Sequence, residues 1–148
     1  CVDFYLSHTS YINNWDLVDL SSYEILGNWL LARPRTVLYD LARNGATLWE
    51  QRIAIVTCMQ FIRHGEFEDC LQIADILLHH PHDLIHKAVG WHLREVGKRD
   101  GELLRNYLRQ CREGEDKPRF MTMPRTALRY AIEKFPEEER MWYLKPKE

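Results

Sequence analysis

The chain has 148 residues, of which 45% are hydrophobic and 28% charged, a balance typical of a soluble globular protein and not of a disordered segment. This length suits a single domain over residues 1–148 that buries roughly two-thirds of its unfolded surface. The apolar runs are too short to cross a bilayer, and the first residues lack the basic start and apolar core of a signal peptide.

Cysteines occur at positions 1, 58, 70 and 111, and no two of them form a CxxC pair. This usage favours a reduced, cytoplasmic protein. Histidines are numerous, but His82 and His86 stand four residues apart without an HExxH pattern. We therefore expect no metal and no other cofactor. Nucleophile elbows, P-loops and dinucleotide fingerprints do not occur in the sequence either.

The net charge of −2 hides an uneven distribution. Residues 85–129 contain 11 Lys/Arg and 6 Asp/Glu, a formal excess of five positive charges, so the remainder carries −7. A local basic surface is what phosphate binding requires, although solvated basic helix faces are common as well.

Apolar residues recur with helical periodicity along the whole chain, and no alternating β-branched run predicts a strand. The sequence therefore predicts an all-α fold. Thr47 with Glu50 forms a possible capping box, and Pro34, Pro124 and Pro136 suit first-turn positions. The segment 113–123 is predicted to be a loop. Helices are predicted at about 2–9, 15–32, 34–43, 48–63, 67–79, 83–98, 101–112, 124–134 and 137–143.

A weak repeat of 35 residues relates the helix around Arg52 to the helix around Lys87. Each is followed by a short link and a second helix. Successive helix pairs at this period favour a HEAT-like helical repeat solenoid with a concave face, and a general helical bundle is the alternative. Apolar residues recur at corresponding positions: Ile53, Ala54 and Phe61 in the first copy correspond to Ala88, Val89 and Val96 in the second.

The predicted helix 83–98 carries an unusual pattern. At about 100° per residue, Lys87, Trp91, Arg94 and Lys98 lie opposite the apolar side. A tryptophan inside a basic stripe suits a ligand with charge and a π face or sugar edge, whereas packing between repeats is the alternative. The residues predicted to face the core are Ile85, Ala88, Val89, Leu93 and Val96.

Two further charges stand in apolar surroundings. Trp15 and Asp19 are four residues apart and share a helix face, while Asp16 points about 100° away and is interpreted as a capping or surface acid. Arg52 stands in a helix that is apolar on nearly every side and needs a partner, for which Asp19 is a candidate. A structural ion pair and a functional charge both fit Asp19.

Two more cations, Arg125 and Arg129, share a face of the predicted helix 124–134 and are candidate phosphate ligands. Ordinary surface positions fit them equally well.

The ordered combination of four segments resembles the alkylpurine DNA glycosylases of the DNA alkylation repair family, which are built from HEAT-like repeats. Family members usually have additional N-terminal helices, so the chain resembles the C-terminal two-thirds of one. The segments are YINNWDLVD at 11–19, LWEQRIAIV at 48–56, HDLIHKAVGWHLREVGKRD at 82–100 and MPRTALRYAIEKFP at 123–136.

The resemblance implies an active site of two tryptophans, a carboxylate and an arginine on a concave face, and it places them at Trp15, Asp19, Arg52 and Trp91. It also implies hydrolysis of the N-glycosidic bond of cationic N3- or N7-alkylated purines in double-stranded DNA. The DNA-binding residues expected beside this site are Lys87, Arg94, Lys98, Arg125 and Arg129. We expect a monomer that acts without a membrane. A non-catalytic HEAT-like DNA-binding module and a protein-interaction solenoid are the alternative functions.

Overall fold

The computed structural model describes residues 22–31, 33–45 and 47–145, and this part of the chain is helical without any β-strand. The all-α prediction is therefore confirmed. The chain divides into two compact units, the first ending at Leu77 and the second beginning at Leu78. No helix in the described ranges is long and apolar enough to span a membrane.

The first unit begins, within the described residues, with a π-helical segment that leads into short α1. Predicted helix 48–63 is divided here into α3 and α4 at Thr57, whose N–H still donates to the carbonyl of Ile53 at 3.0 Å. The predicted cap is confirmed, because Oγ1 of Thr47 accepts a hydrogen bond from the N–H of Glu50 at 3.2 Å. The elements are the π-helix Ser22–Gly27, α1 Asn28–Leu30, α2 Thr36–Asn44, α3 Leu48–Val56, α4 Cys58–Arg63 and α5 Glu68–Leu77.

Arg35, at the start of α2, holds the first unit together. Its guanidinium donates to Asp69 at 2.7 Å and to Glu66 at 2.9 Å, and its central carbon lies 3.7 Å from the ring centroid of Phe61. Burial opposes the charge on Arg35, but the hydrogen bonds to both carboxylates outweigh burial and raise the pKa of Arg35. This cation therefore joins α2 to α5 and to the end of α4.

The second unit is built around α6, the longest helix among the described residues, which is capped by Nδ1 of His82 accepting from the N–H of Leu84 at 3.1 Å. Asp100 caps the next helix through a 3.1 Å bond from the N–H of Leu103. The elements are α6 Asp83–Arg99, α7 Gly101–Arg109, α8 Arg119–Thr122, α9 Arg125–Ala131 and α10 Glu137–Leu144.

The apolar side of α6 lies where its periodicity predicts. Helix α9 packs along α6 at Gly90, where the absence of a side chain permits close approach to Ala127 and Tyr130. Buried His92 shares this helix, and its Nδ1 lies 2.8 Å from the carbonyl oxygen of Ala88. The five predicted core residues are all buried: Ile85, Ala88, Val89, Leu93 and Val96.

Helix α10 is attached by ring contacts and one bidentate ion pair. Buried Tyr143 lies edge-on to Phe120, with ring centroids 5.1 Å apart. The guanidinium of Arg105 donates to both carboxylate oxygens of Glu139, at 2.7 and 3.0 Å. These contacts fix α10 relative to α7 and α8.

Several elements differ from their approximate predicted bounds. The segment 113–123, predicted to be a loop, contains α8, and Arg119 at its start donates to the carbonyl of Tyr107 at 3.1 Å. A helix of one turn is too short for periodicity to detect, and tertiary contacts stabilise it. Predicted helix 101–112 ends at Arg109, and predicted helix 124–134 ends at Ala131. Predicted helix 2–9 and the first part of 15–32 lie outside the described residues.

Candidate nucleic-acid interface

Two of the four predicted active-site residues, Trp15 and Asp19, lie outside the described residues. The other two belong to different compact units, Arg52 to the first and Trp91 to the second. Convergence of all four on one groove therefore stays a prediction, as does the stacking of the helix pairs into a solenoid.

Arg52 occupies the middle of α3 and is only 1% exposed. Its neighbours on the helix, Ile53, Ala54 and Ile55, are fully buried. Burying a guanidinium in such surroundings is costly unless carboxylate or carbonyl oxygens accept its hydrogen bonds. The prediction that Arg52 stands among apolar residues of its own helix is confirmed. Its equivalent in the repeat, Lys87, is only half-buried, so the two equivalent positions differ in their burial.

Trp91 lies on the side of α6 away from the buried residues and is partly exposed. Its ring centroid is 4.6 Å from that of His92, and the two planes are tilted by 58°. Within the described residues the indole thus has one neighbouring ring, and it retains accessible surface. A partly exposed indole of this kind can pack against a deoxyribose or another flat apolar ligand.

The basic stripe around Trp91 is largely neutralised within the protein. Lys87 pairs with Asp83 at 3.2 Å, and Lys98 pairs with Glu95 at 3.0 Å. Arg94 forms an ion pair with Glu133, which follows the end of α9. A DNA phosphate that binds these cations must therefore compete with a carboxylate that is already in place.

Arg125 and Arg129 differ from the cations of the basic stripe in their pairing. Both are exposed on α9, one turn apart, and neither forms an ion pair with any residue in the described ranges. Side chains four residues apart on a helix are neighbours, so the pair presents two adjacent positive charges to solvent. These two cations meet the electrostatic requirement for phosphate binding without breaking an internal pair.

Sequence reasoning missed the exposed aromatic surface beside Arg125. Met141 and Trp142 on α10 are both exposed, and together with Arg125 they line an open cavity. A signal for this surface was present in the sequence: residues 141–144 read MWYL. Four consecutive apolar residues at about 100° each span the whole circumference of a helix, so some of them must face solvent.

Comparison with known proteins identifies a family for this chain. No curated protein matches the chain. The family model described as DNA alkylation repair enzyme matches residues 1–135, a range that contains every predicted site residue and ends before α10. Because this match covers most of the 148 residues, the chain belongs to the DNA alkylation repair enzyme family and is an enzyme of DNA repair.

Proposed function

We propose that the protein is a DNA glycosylase that hydrolyses the N-glycosidic bond of cationic N3- or N7-alkylated purines in double-stranded DNA. The observation that carries the proposal is the family match, because it includes Trp15, Asp19, Arg52 and Trp91 together. The deep burial of Arg52 supports it further. A guanidinium buried in an apolar helix is suited to hold a catalytic carboxylate in its charged form.

The chemistry follows from the substrate. Alkylation at N3 or N7 gives the purine a positive charge, so the base can leave with the electrons of the glycosidic bond and become neutral. Positive charge then develops on the sugar, and the carboxylate of Asp19 stabilises it. The same carboxylate orients a water molecule that adds to the anomeric carbon and releases a proton, as in the hydrolysis of other glycosides.

The remaining site residues position the lesion. Arg52 keeps Asp19 ionised by its own positive charge and donates hydrogen bonds within the site. Trp15 and Trp91 pack against the deoxyribose of the damaged nucleotide, and the partly exposed ring of Trp91 suits this role. In this proposal the lesion is recognised from the backbone side, and no pocket encloses the base.

Phosphates flanking the lesion contact a set of cations in the second unit. Arg125 and Arg129 are accessible without rearrangement, while the other cations exchange an internal carboxylate for a phosphate. We place this reaction at the first step of base excision repair, carried out in the cytoplasm by a monomer. The cations proposed to bind DNA are Lys87, Arg94, Lys98, Arg125 and Arg129.

The direct test is release of free base. The protein is incubated with duplex DNA that contains 7-methylguanine, and free 7-methylguanine is measured by chromatography. Release above the spontaneous rate supports the proposal. Salt-sensitive binding without release would instead identify a non-catalytic DNA-binding module, and binding of neither paired nor damaged DNA would favour a protein-interaction solenoid.

A further inference from the structure

An open cavity lies on the surface of the second unit between the start of α9 and the exposed side of α10. Its volume is about 610 Å³, within the range of about 300–1,000 Å³ that is common for sites of small organic ligands. Of the residues that line this cavity, only Arg125 has a role in the function proposed above. The lining residues are Arg125, Glu138, Met141, Trp142, Leu144 and Lys145.

Trp142 provides a flat aromatic surface in this cavity. It is 47% exposed although its ring is held in place, with Phe120 at 5.3 Å between ring centroids and the guanidinium carbon of Arg109 at 5.5 Å from its centroid. Neighbouring Met141 is 61% exposed. A large aromatic side chain that is fixed on one part and accessible on the rest is suited to stack against a planar ligand.

The charge around Trp142 is predominantly positive. Arg125 and Lys145 line the cavity, and neither has an ion-pair partner among residues 22–31, 33–45 and 47–145. The acid on this surface is Glu138. Arg129 stands one turn from Arg125 on α9 and is likewise free of described carboxylates. The ligand that complements this surface has a planar ring and at least one anionic group attached to it.

We propose that the cavity binds a single unpaired nucleotide of DNA, whose base stacks on Trp142 while its phosphates contact Arg125 and Arg129. Within a fully paired duplex both faces of each base are covered by neighbouring bases, so only an unstacked nucleotide can offer its π face. DNA is favoured as the source because the family acts on DNA. The site shares Arg125 and Arg129 with the glycosylase proposal, but it requires DNA binding and not base excision, so the two proposals can fail separately.

The test compares two labelled duplexes of equal length, one fully paired and one with a single unpaired thymidine, by fluorescence anisotropy with the full chain. Stacking on an aromatic side chain contributes about 1–3 kcal/mol per base, so we expect the bulged duplex to bind about tenfold more tightly. Trp142→Ala should abolish this preference and leave the affinity for paired DNA within about twofold. Trp142→Phe, which keeps a ring, should retain most of the preference.

A second variant avoids the ring contacts between Trp142 and Phe120. Arg125→Glu changes an exposed side chain and should also abolish the preference, whereas Lys117→Ala, an exposed cation that does not line the cavity, should preserve it. Equal binding of both duplexes by the parental protein overturns the proposal, and so does an unchanged preference in Trp142→Ala. An acidic peptide that displaces the bulged duplex as well as unlabelled DNA of the same charge does would also overturn the proposal. Such a result would show that the surface binds anions in general. Loss of 7-methylguanine release alone would leave this result unaffected.

Discussion

Gly90 of α6 and Ala127 of α9 approach so closely that a β-carbon on Gly90 would lie 2.6 Å from the carbonyl oxygen of Ala127. The same β-carbon would lie 2.6 Å from Cβ of Tyr130. Backbone atoms cannot move aside as a flexible side chain can, so this contact sets the distance between the two helices. It thereby fixes the position of the cations of α9 relative to Trp91 on α6.

We therefore expect the added carbon of Gly90→Ala to cost about 3 kcal/mol, the upper end of the usual cost of overpacking, because it meets backbone atoms. Alanine is the better helix former by about 1 kcal/mol, so the net loss of stability is about 2 kcal/mol. Urea denaturation measures the free energy of unfolding. Gly101→Ala is the matched control, because its β-carbon would meet only the flexible end of Arg105 at 3.0 Å. A Gly90→Ala variant as stable as the parent would contradict the close packing.

The proposed catalytic charge is tested by Asp19→Asn, which retains the size of the side chain and removes its negative charge. We expect single-turnover release of 7-methylguanine to fall by about 10²- to 10³-fold, since the developing charge on the sugar loses its stabilising partner. Affinity for DNA should change little or rise. Asp16→Asn is the control, because that carboxylate is predicted to point away from Trp15. A folded Asp19→Asn variant that releases 7-methylguanine at the parental rate would contradict the proposed mechanism.

The two groups of cations differ in their internal pairing, and this difference predicts different salt effects. Arg129→Ala should weaken binding to all sequences alike and reduce the slope of log K against log salt by about one unit. Lys98→Ala should reduce the slope by less, because Lys98 already pairs with Glu95 at 3.0 Å and exchanges one anion for another on binding. Salt titrations of DNA affinity for both variants measure this. Equal reductions would show that the ion pair with Glu95 does not make Lys98 less available to DNA than Arg129.

The ion pair of Arg105 and Glu139 predicts a pH dependence of stability. Hydrogen bonds from Arg105 lower the pKa of Glu139 below its ordinary value of 4.5, even though burial opposes this. A lowered folded-state pKa means that the stabilisation is present above about pH 4.5 and is lost as the pH falls through the folded-state value. Because the pair is partly exposed, we expect it to contribute about 0.5–1 kcal/mol to the free energy of unfolding.

Urea denaturation of the parent and of Glu139→Gln between about pH 3 and pH 7 checks this expectation. The difference in unfolding free energy between the two proteins should be constant at the upper end and should shrink toward the acid end. Glu137→Gln serves as the control, since Glu137 is exposed and forms no ion pair within the described part of the chain. A difference that grows with acidification would reverse the sign and contradict the assignment.

The sequence predicts those features of the structure that depend on residues close to one another along the chain. The buried side of α6 was predicted correctly because it depends only on helical periodicity, and the cap at Thr47 because it joins residues three apart. The difference in burial between Arg52 and ordinary surface arginines was predictable as well, since its immediate neighbours are apolar. Local patterns of this kind also carried the resemblance to the family.

The sequence by itself determined the helical class, the buried side of α6 and the family of the protein, because each follows from local periodicity or from motifs read in order. Only the tertiary structure decided which cations are paired with carboxylates of the protein itself. Arg94 and Arg129 are both basic residues on helix surfaces, but Glu133 neutralises the first and no described carboxylate reaches the second. The cavity at Trp142 likewise depends on the docking of α10 beside α9. Side chains from separate helices meet only after packing, so no local pattern records which charges are paired.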